Sequence, residues 1–460
     1  MKKSIPAFRL TAGLVAVLLS TQGCATYRPA PVEESALLAQ AQEQAQGKVK
    51  VSAAVLGPRE AKKYFGTAMD HKNMQPVWLR IENKDDEPYL FLQQSVDPQY
   101  YSPEEAAYLN HFSTAKQTLE YGLVSLLFFP LILAVPFHYI SAKIANRKID
   151  SFFGSKGIEN NLVMPNETVS GFVFTPLDKG TKEICFTLYA DTADKTFQFF
   201  VKVPGLRADY ARHDFEDRYA EKDLRPCTVK DLPKILEALP DCTENEKGTR
   251  HGDPVNLVIA GELEEILTAF AAAKWDETEE LSFKTGWQMF RAFLFGKTYR
   301  YSPVSPLYLY GHRHDIALQK TRETINQRLH LRLWYSPIRL EGKPVWVGTV
   351  SRDIGVRFTT HSWYLTTHKI DPNIDDAREY VLGDLATVKR LARYGFLPGS
   401  NRSTAARPAK NLTGDPYFTD GVRTVVEISQ RRGEPKSFDW PFPLPDVKAE
   451  NLEPSKGSTV

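Results

Sequence analysis

Apolar and polar residues alternate without a fault in "RLHLRLW", residues 328–334, with Leu329, Leu331 and Leu333 on one side and Arg328, His330, Arg332 and Trp334 on the other. Period two predicts a half-buried strand with its leucines inward. A His, an Arg and a Trp then stand in a row on the opposite face, either as solvated surface or as the wall of a site. "SPLYLYG" before it and "KPVWVGTVSRDIGVRF" after it read as further strands, and the intervening "YSPIRLEGKP" has hairpin length. Which residues of "VWVGTV" share the face of His330 and Arg332 depends on register, which a one-residue slip reverses. Gly348 opposite Arg332 would leave a depression beside charged side chains.

Elsewhere the period is helical. "ELEEILTAFAAAKW" places Leu263, Ile266, Leu267 and Phe270 on one face, and it follows the strand "DPVNLVIAG", so this part of the chain mixes its elements. "SFKTGWQMFRAFLFG" continues as helix. "DPNIDDAREYVLGDLATVKRLARYG" predicts another, capped by Asp371 or Asn373, with Lys389, Arg390 and Arg393 in its last turn and Gly395 as its stop. "VRTVVEISQ" is a final strand, and residues 433–460 read as a flexible tail.

Upstream, "PVWLRIENKDDEPYLFLQ" and "ETVSGFVFTPLDKGTKEICFTLYADTADKTFQFFVKV" are short β-branched and aromatic runs between turn residues, the pattern of a small antiparallel sandwich. Between them, Gly122 to Ile140 is nearly all apolar, broken by Pro130 and Pro136 and followed by Lys143, Arg147 and Lys148. We read a bent helical hairpin that lies in a membrane interface or docks on protein, with a true span and a buried core helix as alternatives. The expected architecture is two domains. An antiparallel β-sandwich-like domain over 51–205 carries an apolar helical insert at 105–150, and an α/β domain of mixed sheet and helices covers 251–432. A linker over 206–250 joins them.

The first residues change the setting. "MKKSIPAFRLTAGLVAVLLSTQGCATYRP" runs from Lys2, Lys3 and Arg9 through an apolar stretch too short for a bilayer to small residues and a Cys, the form of an export signal over 1–23. "STQGCAT" resembles a bacterial lipoprotein processing site, which implies lipid on Cys24, and Ala25 after it favours the outer membrane, facing the periplasm. Residues 24–50, polar and Gln-rich, then read as a tether. The formal net charge of +2 gives no reason to expect nucleic acid as a partner. In an oxidising envelope Cys227 and Cys242 could close a loop worth on the order of 3 kcal/mol, with three free thiols, Cys185 included, as the alternative. No CxxC spacing occurs.

Residues 253–395 resemble the LssY C-terminal domain family. The landmarks are "DPVNLVIAG", the helix ending "AAAKW", "SPVSPLYLYG…HDIALQK", "RLHLRLW", "VWVGTVSRDIGV" and "HKIDPNIDDAREY", in one order. That family often accompanies membrane domains of the DedA or type-2 phosphatidic acid phosphatase type, so the resemblance implies an envelope context and names no reaction. Here a lipoprotein start and a β-domain stand in place of those partners.

The polar residues on the landmarks suggest chemistry of three kinds. His330 and His368 are acid-base candidates, with Asp353 and Asp371 to orient them. Arg332 and Arg378 are candidate clamps for a phosphate or carboxylate. Asp315, Gln319, Lys320, Asp375 and Glu379 stand nearby, and "HKIDPNIDDAREY" reads equally as a capped helix start with local pairs. His312 and His314 share a face of "GHRHD", but no metal is expected there, and His361 is weaker than His368. No GxSxG, GxxxxGK[ST], HExxH or GxGxxG is present. No cofactor is indicated. Two readings follow: a lipoprotein docking to a membrane through Cys24 and residues 122–140, or to an envelope protein partner, and an envelope hydrolase acting on a phosphate-bearing or lipid-derived substrate. The hydrolase requires one cleft that gathers these side chains; the docking protein expects them in caps and local pairs.

Overall fold

A computed structural model describes residues 26–113, 135–212, 215, 217–280, 300–321, 328–358, 366–399 and 402–441. Side chains at 135–138, 356–358 and 366–368 are outside that description. The chain is sheet-rich with few helices and forms two compact units that divide at Pro204/Gly205, Lys179–Thr181 counting with the second.

In the first unit, β1 (Gln42–Gln46), β2 (Val49–Val55), β3 (Met74–Asn83) and β6 (Thr168–Pro176) form an antiparallel sheet in the order β1-β2-β3-β6. A second sheet, β5-β4-β7-β8, comprises β4 (Tyr89–Phe91), β5 (Asn161–Val163), β7 (Gly180–Tyr189) and β8 (Lys195–Val203). Inward residues of both sheets, Val51, Leu79, Phe91, Phe186 and Phe197 among them, share one apolar core. The other face of the first sheet is covered by helices. These are α1 (Glu34–Gln40), α2 (Pro58–Phe65), α3 (Pro103–Leu109) and α4 (Val135–Lys156), which bring Leu37, Phe65, Ala106 and Phe153 onto Trp78 and Phe172. Proline at the first turn and the Glu60 carboxylate, 3.2 Å from the Gly57 N–H, start α2; Gly66 at φ 66° ends it.

One expectation changes here. The tether is not loose beyond residue 26. Leu37 is buried, and the side chains of Gln42, Gln44 and Gln46 donate to the backbone carbonyls of Phe200, Gln198 and Thr196 on β8, so a polar period-two strand joins the edges of the two sheets. The insert is seen as α3 and α4 alone; residues 114–134, with most of the apolar run, lie outside the described residues. No helix among the described residues is long and apolar enough to cross a membrane.

In the second unit, the main sheet runs β13-β16-β17-β18-β12-β23-β20-β24. Its first strands are β9 (Arg225–Cys227), paired beside β17, β12 (Leu257–Ala260), β13 (Asp276–Glu277), β16 (Ile316–Thr321), β17 (Arg328–Leu340) and β18 (Lys343–Phe358). The rest are β19 (Thr366–Ile370), paired with β18, β20 (Leu391–Pro398), β23 (Val422–Ile428) and β24 (Lys436–Ser437). A smaller sheet holds β10 (Cys242–Glu244), β11 (His251–Pro254), β14 (Tyr308–Leu309) and β15 (His312–Arg313), and β21 (Ala409–Lys410) pairs with β22 (Pro416–Tyr417). The helices are α5 (Leu232–Glu237), α6 (Leu263–Ala272) and α7 (Ile374–Thr387). On one face of the main sheet, Leu331, Leu333 and Val350 pack with Ile266 and Phe270 of α6 and Val381 and Leu385 of α7.

The linker expected over 206–250 is part of this unit. It supplies β9, α5 and β10, and the buried Arg423 guanidinium donates to the carbonyls of Leu236 (2.6 Å) and Pro240 (2.7 Å), satisfying the end of α5. Cys227 and Cys242 are free thiols on different sheets, so the expected disulfide is not formed. Cys227 lies in an apolar cluster with Leu232 and Leu340, whereas the Cys242 Sγ is 3.1 Å from His251 Nδ1. The last helix stops at Thr387, short of Gly395. Lys389 turns the chain at φ 57°, and Leu391–Pro398 becomes a strand in which Gly395 lets Trp440 approach. The tail is likewise not free at its start: β24 pairs with β20, Phe438 is buried, and Trp440 Nε1 donates to Val229 O at 2.9 Å.

Candidate functional site

The row on β17 is set by its two neighbours. β16 and β18 both run antiparallel to it, with Gln319 and Ser351 opposite His330, and Ala317 and Thr349 opposite Arg332. A two-residue turn, Glu341 and Gly342, both at positive φ, together with a bulge between Tyr335 and Arg339, sets the hairpin register. Gly348 therefore pairs with Leu333 on the leucine face, and the depression beside Arg332 does not exist. The opposite face is not solvated either. Trp334 packs with Val255, Leu307, Leu309 and Val347, and Arg328, His330 and Arg332 are all buried, His330 at 4% exposure.

A charged ladder results. His330 Nε2 lies 2.5 Å from Asp353 Oδ2, and Arg328 Nε lies 3.6 Å from the same oxygen. Arg328 also donates to Gln319 Oε1 at 2.8 Å and to the Ser302 hydroxyl. One rung along, Arg332 Nε donates to Ser305 O at 3.1 Å, with its Nη1 3.9 Å from Asp253 Oδ2. The Ser351 hydroxyl donates to that Asp253 oxygen at 3.4 Å. Further on, His314 Nε2 is 3.4 Å from Asp209 Oδ2.

Burial dominates the electrostatics of this layer. It pushes the His330 imidazole down to about 3, Asp353 opposing, and His314 down to about 4, Asp209 opposing. It also raises Asp253 and lowers Arg332, each held back by the other's charge. At neutral pH His330 is thus a neutral imidazole whose Nε2–H donates to the Asp353 carboxylate.

Of the remaining candidates, Arg378 is not an anion clamp. It is buried under α7 and donates to Asp420 at 2.8 and 3.0 Å, to Asp375 at 3.3 Å and to Val422 O at 2.6 Å, with Glu379 3.4 Å away. Burial works against its charge, but these carboxylates hold its pKa above the usual value. Asp371 serves a turn: its Oδ1 accepts from the Asn373 N–H at 3.0 Å, and its own N–H donates to Arg352 O, leading into α7. The backbone of His368 pairs with Val356; its side chain, and all of His361 and Cys24, lie outside the described residues. Asp315 receives Arg218 at 2.6 Å and the Tyr335 N–H at 2.8 Å.

Beside the end of β16 and the start of β17, where β18 runs on to pair with β19, a pocket of about 290 Å³ opens, lined by Lys320, Thr321, Arg328, Leu329, Arg352, Asp353, Ile354, Asp371 and Tyr380. Lys320 Nζ and the Arg352 guanidinium stand 5.1 and 5.5 Å from the Tyr380 ring centre. They pair with Asp384 at 2.7 Å and Asp376 at 2.5 Å on α7. Asp353 thus touches the pocket, while His330 is not among its lining residues. Among the described residues no three His, Cys, Asp or Glu are placed to hold a metal. Sequence reasoning had overlooked Arg328, Asp253 and Arg352. Arg328 was in view as the first member of the same alternation, whereas Arg352 falls on the leucine side and becomes polar lining where β16 and β17 stop beside it.

Residues 236–422 match the family described as LssY C-terminus, a span that begins in α5 and takes in the pocket and, Asp209 apart, the ladder. No curated protein matches the chain.

Proposed function

We propose that the chain, with its LssY C-terminus domain at 236–422, is a cell-envelope lipoprotein, held by lipid on Cys24 at the periplasmic side of the outer membrane. The first unit docks it to a membrane surface or envelope assembly, and the second is a binding module rather than a catalyst. The observation that carries the docking is α4. Its Ala145, Ile149 and Phe153 are buried against the sheet, while Tyr139, Ile140 and Ile144 are exposed, the last two at 54% and 50%. At 3.6 residues per turn Ile140, Ile144 and Arg147 occupy the side away from the core, and Lys143 and Lys148 flank them, all exposed. Isoleucines bordered by lysine and arginine suit the interface of an anionic bilayer, where burying the exposed half of each contributes about 1 kcal/mol. The apolar run from Gly122 leads directly into this face.

Two measurements test this. Palmitate fed to a bacterium expressing the full chain labels the wild type and not Cys24→Ala. In the Cys24→Ala background, Ile140→Ser with Ile144→Ser reduces flotation with anionic vesicles. Unlabelled wild type, or flotation indifferent to the isoleucine changes, sinks the proposal.

The His330–Asp353 bond favours a second reading, an envelope hydrolase acting on a phosphate-bearing or lipid-derived substrate. Against it, Arg378 is engaged in helix contacts, and among the described residues the pocket takes in Asp353 and Asp371 without His330, Arg332 or Arg378. Phosphoester turnover abolished by His330→Gln in a protein that still unfolds cooperatively would establish the hydrolase instead.

A further inference from the structure

We infer that the pocket beside the end of β16, the start of β17 and the second half of β18 binds a small ligand through an oxyanion, a phosphate or carboxylate group. Three adjacent strands each contribute a cation to it: Lys320, Arg328 and Arg352. The two carboxylates in its wall are already engaged, Asp353 by His330 and Arg328, and Asp371 by the Asn373 N–H. The lining therefore presents cationic groups in excess of its acids.

These cations differ in how they are held. Arg328 is buried and fixed by Gln319 and Ser302, so its guanidinium is oriented before any ligand arrives. Lys320 and Arg352 are partly exposed, and their carboxylate partners come from α7 rather than from the pocket wall. The Asp376 side chain is 47% exposed. A pair with so exposed a carboxylate, Arg352–Asp376, contributes little and exchanges partners readily. An entering oxyanion can take the place of Asp376 on Arg352 and join Asp384, which Trp275 Nε1 also holds at 2.7 Å, on Lys320, while both cations keep their stacking on Tyr380. That ring and Ile354, both exposed, supply an apolar rim for the rest of the ligand. A volume of about 290 Å³ is at the small end of ligand sites, which favours a compact molecule or a headgroup over an extended chain.

The inference is independent of the lipid anchor and of the docking face. Its test is titration of the full chain in detergent with inorganic phosphate at constant ionic strength, followed by calorimetry. Saturable binding is expected, weakened about tenfold by Lys320→Gln or Arg352→Gln, since each removes one charge-assisted contact. Asp376→Asn, which frees Arg352 from its competitor, tightens binding, an effect that a purely structural Arg352 would not produce. Short-chain phosphatidic acid in place of phosphate separates the sources: Arg352-dependent binding of the lipid alone assigns a headgroup, and binding of phosphate alone a free anion. The absence of saturable binding by either probe overturns the inference, as does binding that ignores all three substitutions.

Discussion

His330 donates from Nε2 to the Asp353 carboxylate across 2.5 Å, between two covered faces of a sheet, with Arg328 closing on the same oxygen from 3.6 Å. The imidazole is neutral in the fold, its pKa pushed down to about 3 by burial, and takes a proton near 6.5 once unfolded. Between those values the unfolded chain binds the extra proton, so stability is full above about pH 6.5 and falls as the pH drops toward 3. His314, lowered to about 4, adds in the same direction. Thermal unfolding followed from pH 7 to pH 4 is expected to show a falling midpoint, and His330→Gln a shallower fall. An unchanged slope in the variant would remove His330 from the acid sensitivity.

Arg378 holds Asp420, Asp375 and the Val422 carbonyl beneath α7. Arg378→Met strands those carboxylates and should destabilise by about 3–5 kcal/mol in urea unfolding. Binding of phosphate at the pocket should survive in the folded fraction. A loss of binding without a loss of stability would restore Arg378 as an anion clamp.

A Cβ on Gly348 would lie 2.6 Å from Leu333 Cδ2 and 2.9 Å from the Arg332 carbonyl oxygen. The carbonyl cannot yield without disturbing the ladder, so Gly348→Ala should cost about 1–3 kcal/mol, and Gly348→Val more. Equal stability of the alanine variant would mean that the β17–β18 register differs from Leu333 opposite Gly348.

Cys185, Cys227 and Cys242 are free. Alkylation after denaturation without reductant is expected to modify all three. In the native protein Cys227 and Cys242 should react slowly at neutral pH, because burial raises both thiols. A cystine peptide joining Cys227 to Cys242 would contradict this.

The leucine face of β17 was legible from alternation alone, because Leu329, Leu331 and Leu333 have one destination in any sheet with a core. The fate of the other face was not. Period two looks the same whether Arg328, His330 and Arg332 meet water or a second layer, and that layer comes from β10, β11, β14 and β15, strands of two to four residues that carry little pattern. For the same reason Gln42, Gln44 and Gln46 read as tether: glutamines alternate toward carbonyls as regularly as leucines toward a core, but no hydrophobic signal marks them. The continuous helix expected through Arg393 failed at Lys389, whose left-handed turn composition does not announce. Arg378 reads as a site residue because charged residues near a helix start look alike in sequence, whether they bind a ligand or the helix itself.

Charge on one side of β17 and leucine on the other also governs how the strands find their alignment. A slip of one residue would carry Arg328, His330 and Arg332 into the aliphatic layer under α6 and α7, and would set leucines against Asp253 and Asp353. Both faces would then be wrong at once, one by unpaired charge in hydrocarbon and the other by carboxylates stripped of partners. The ladder therefore works as a key for pairing. Of the ways β16, β17 and β18 can be laid side by side, it leaves one in which every buried charge has its counterpart.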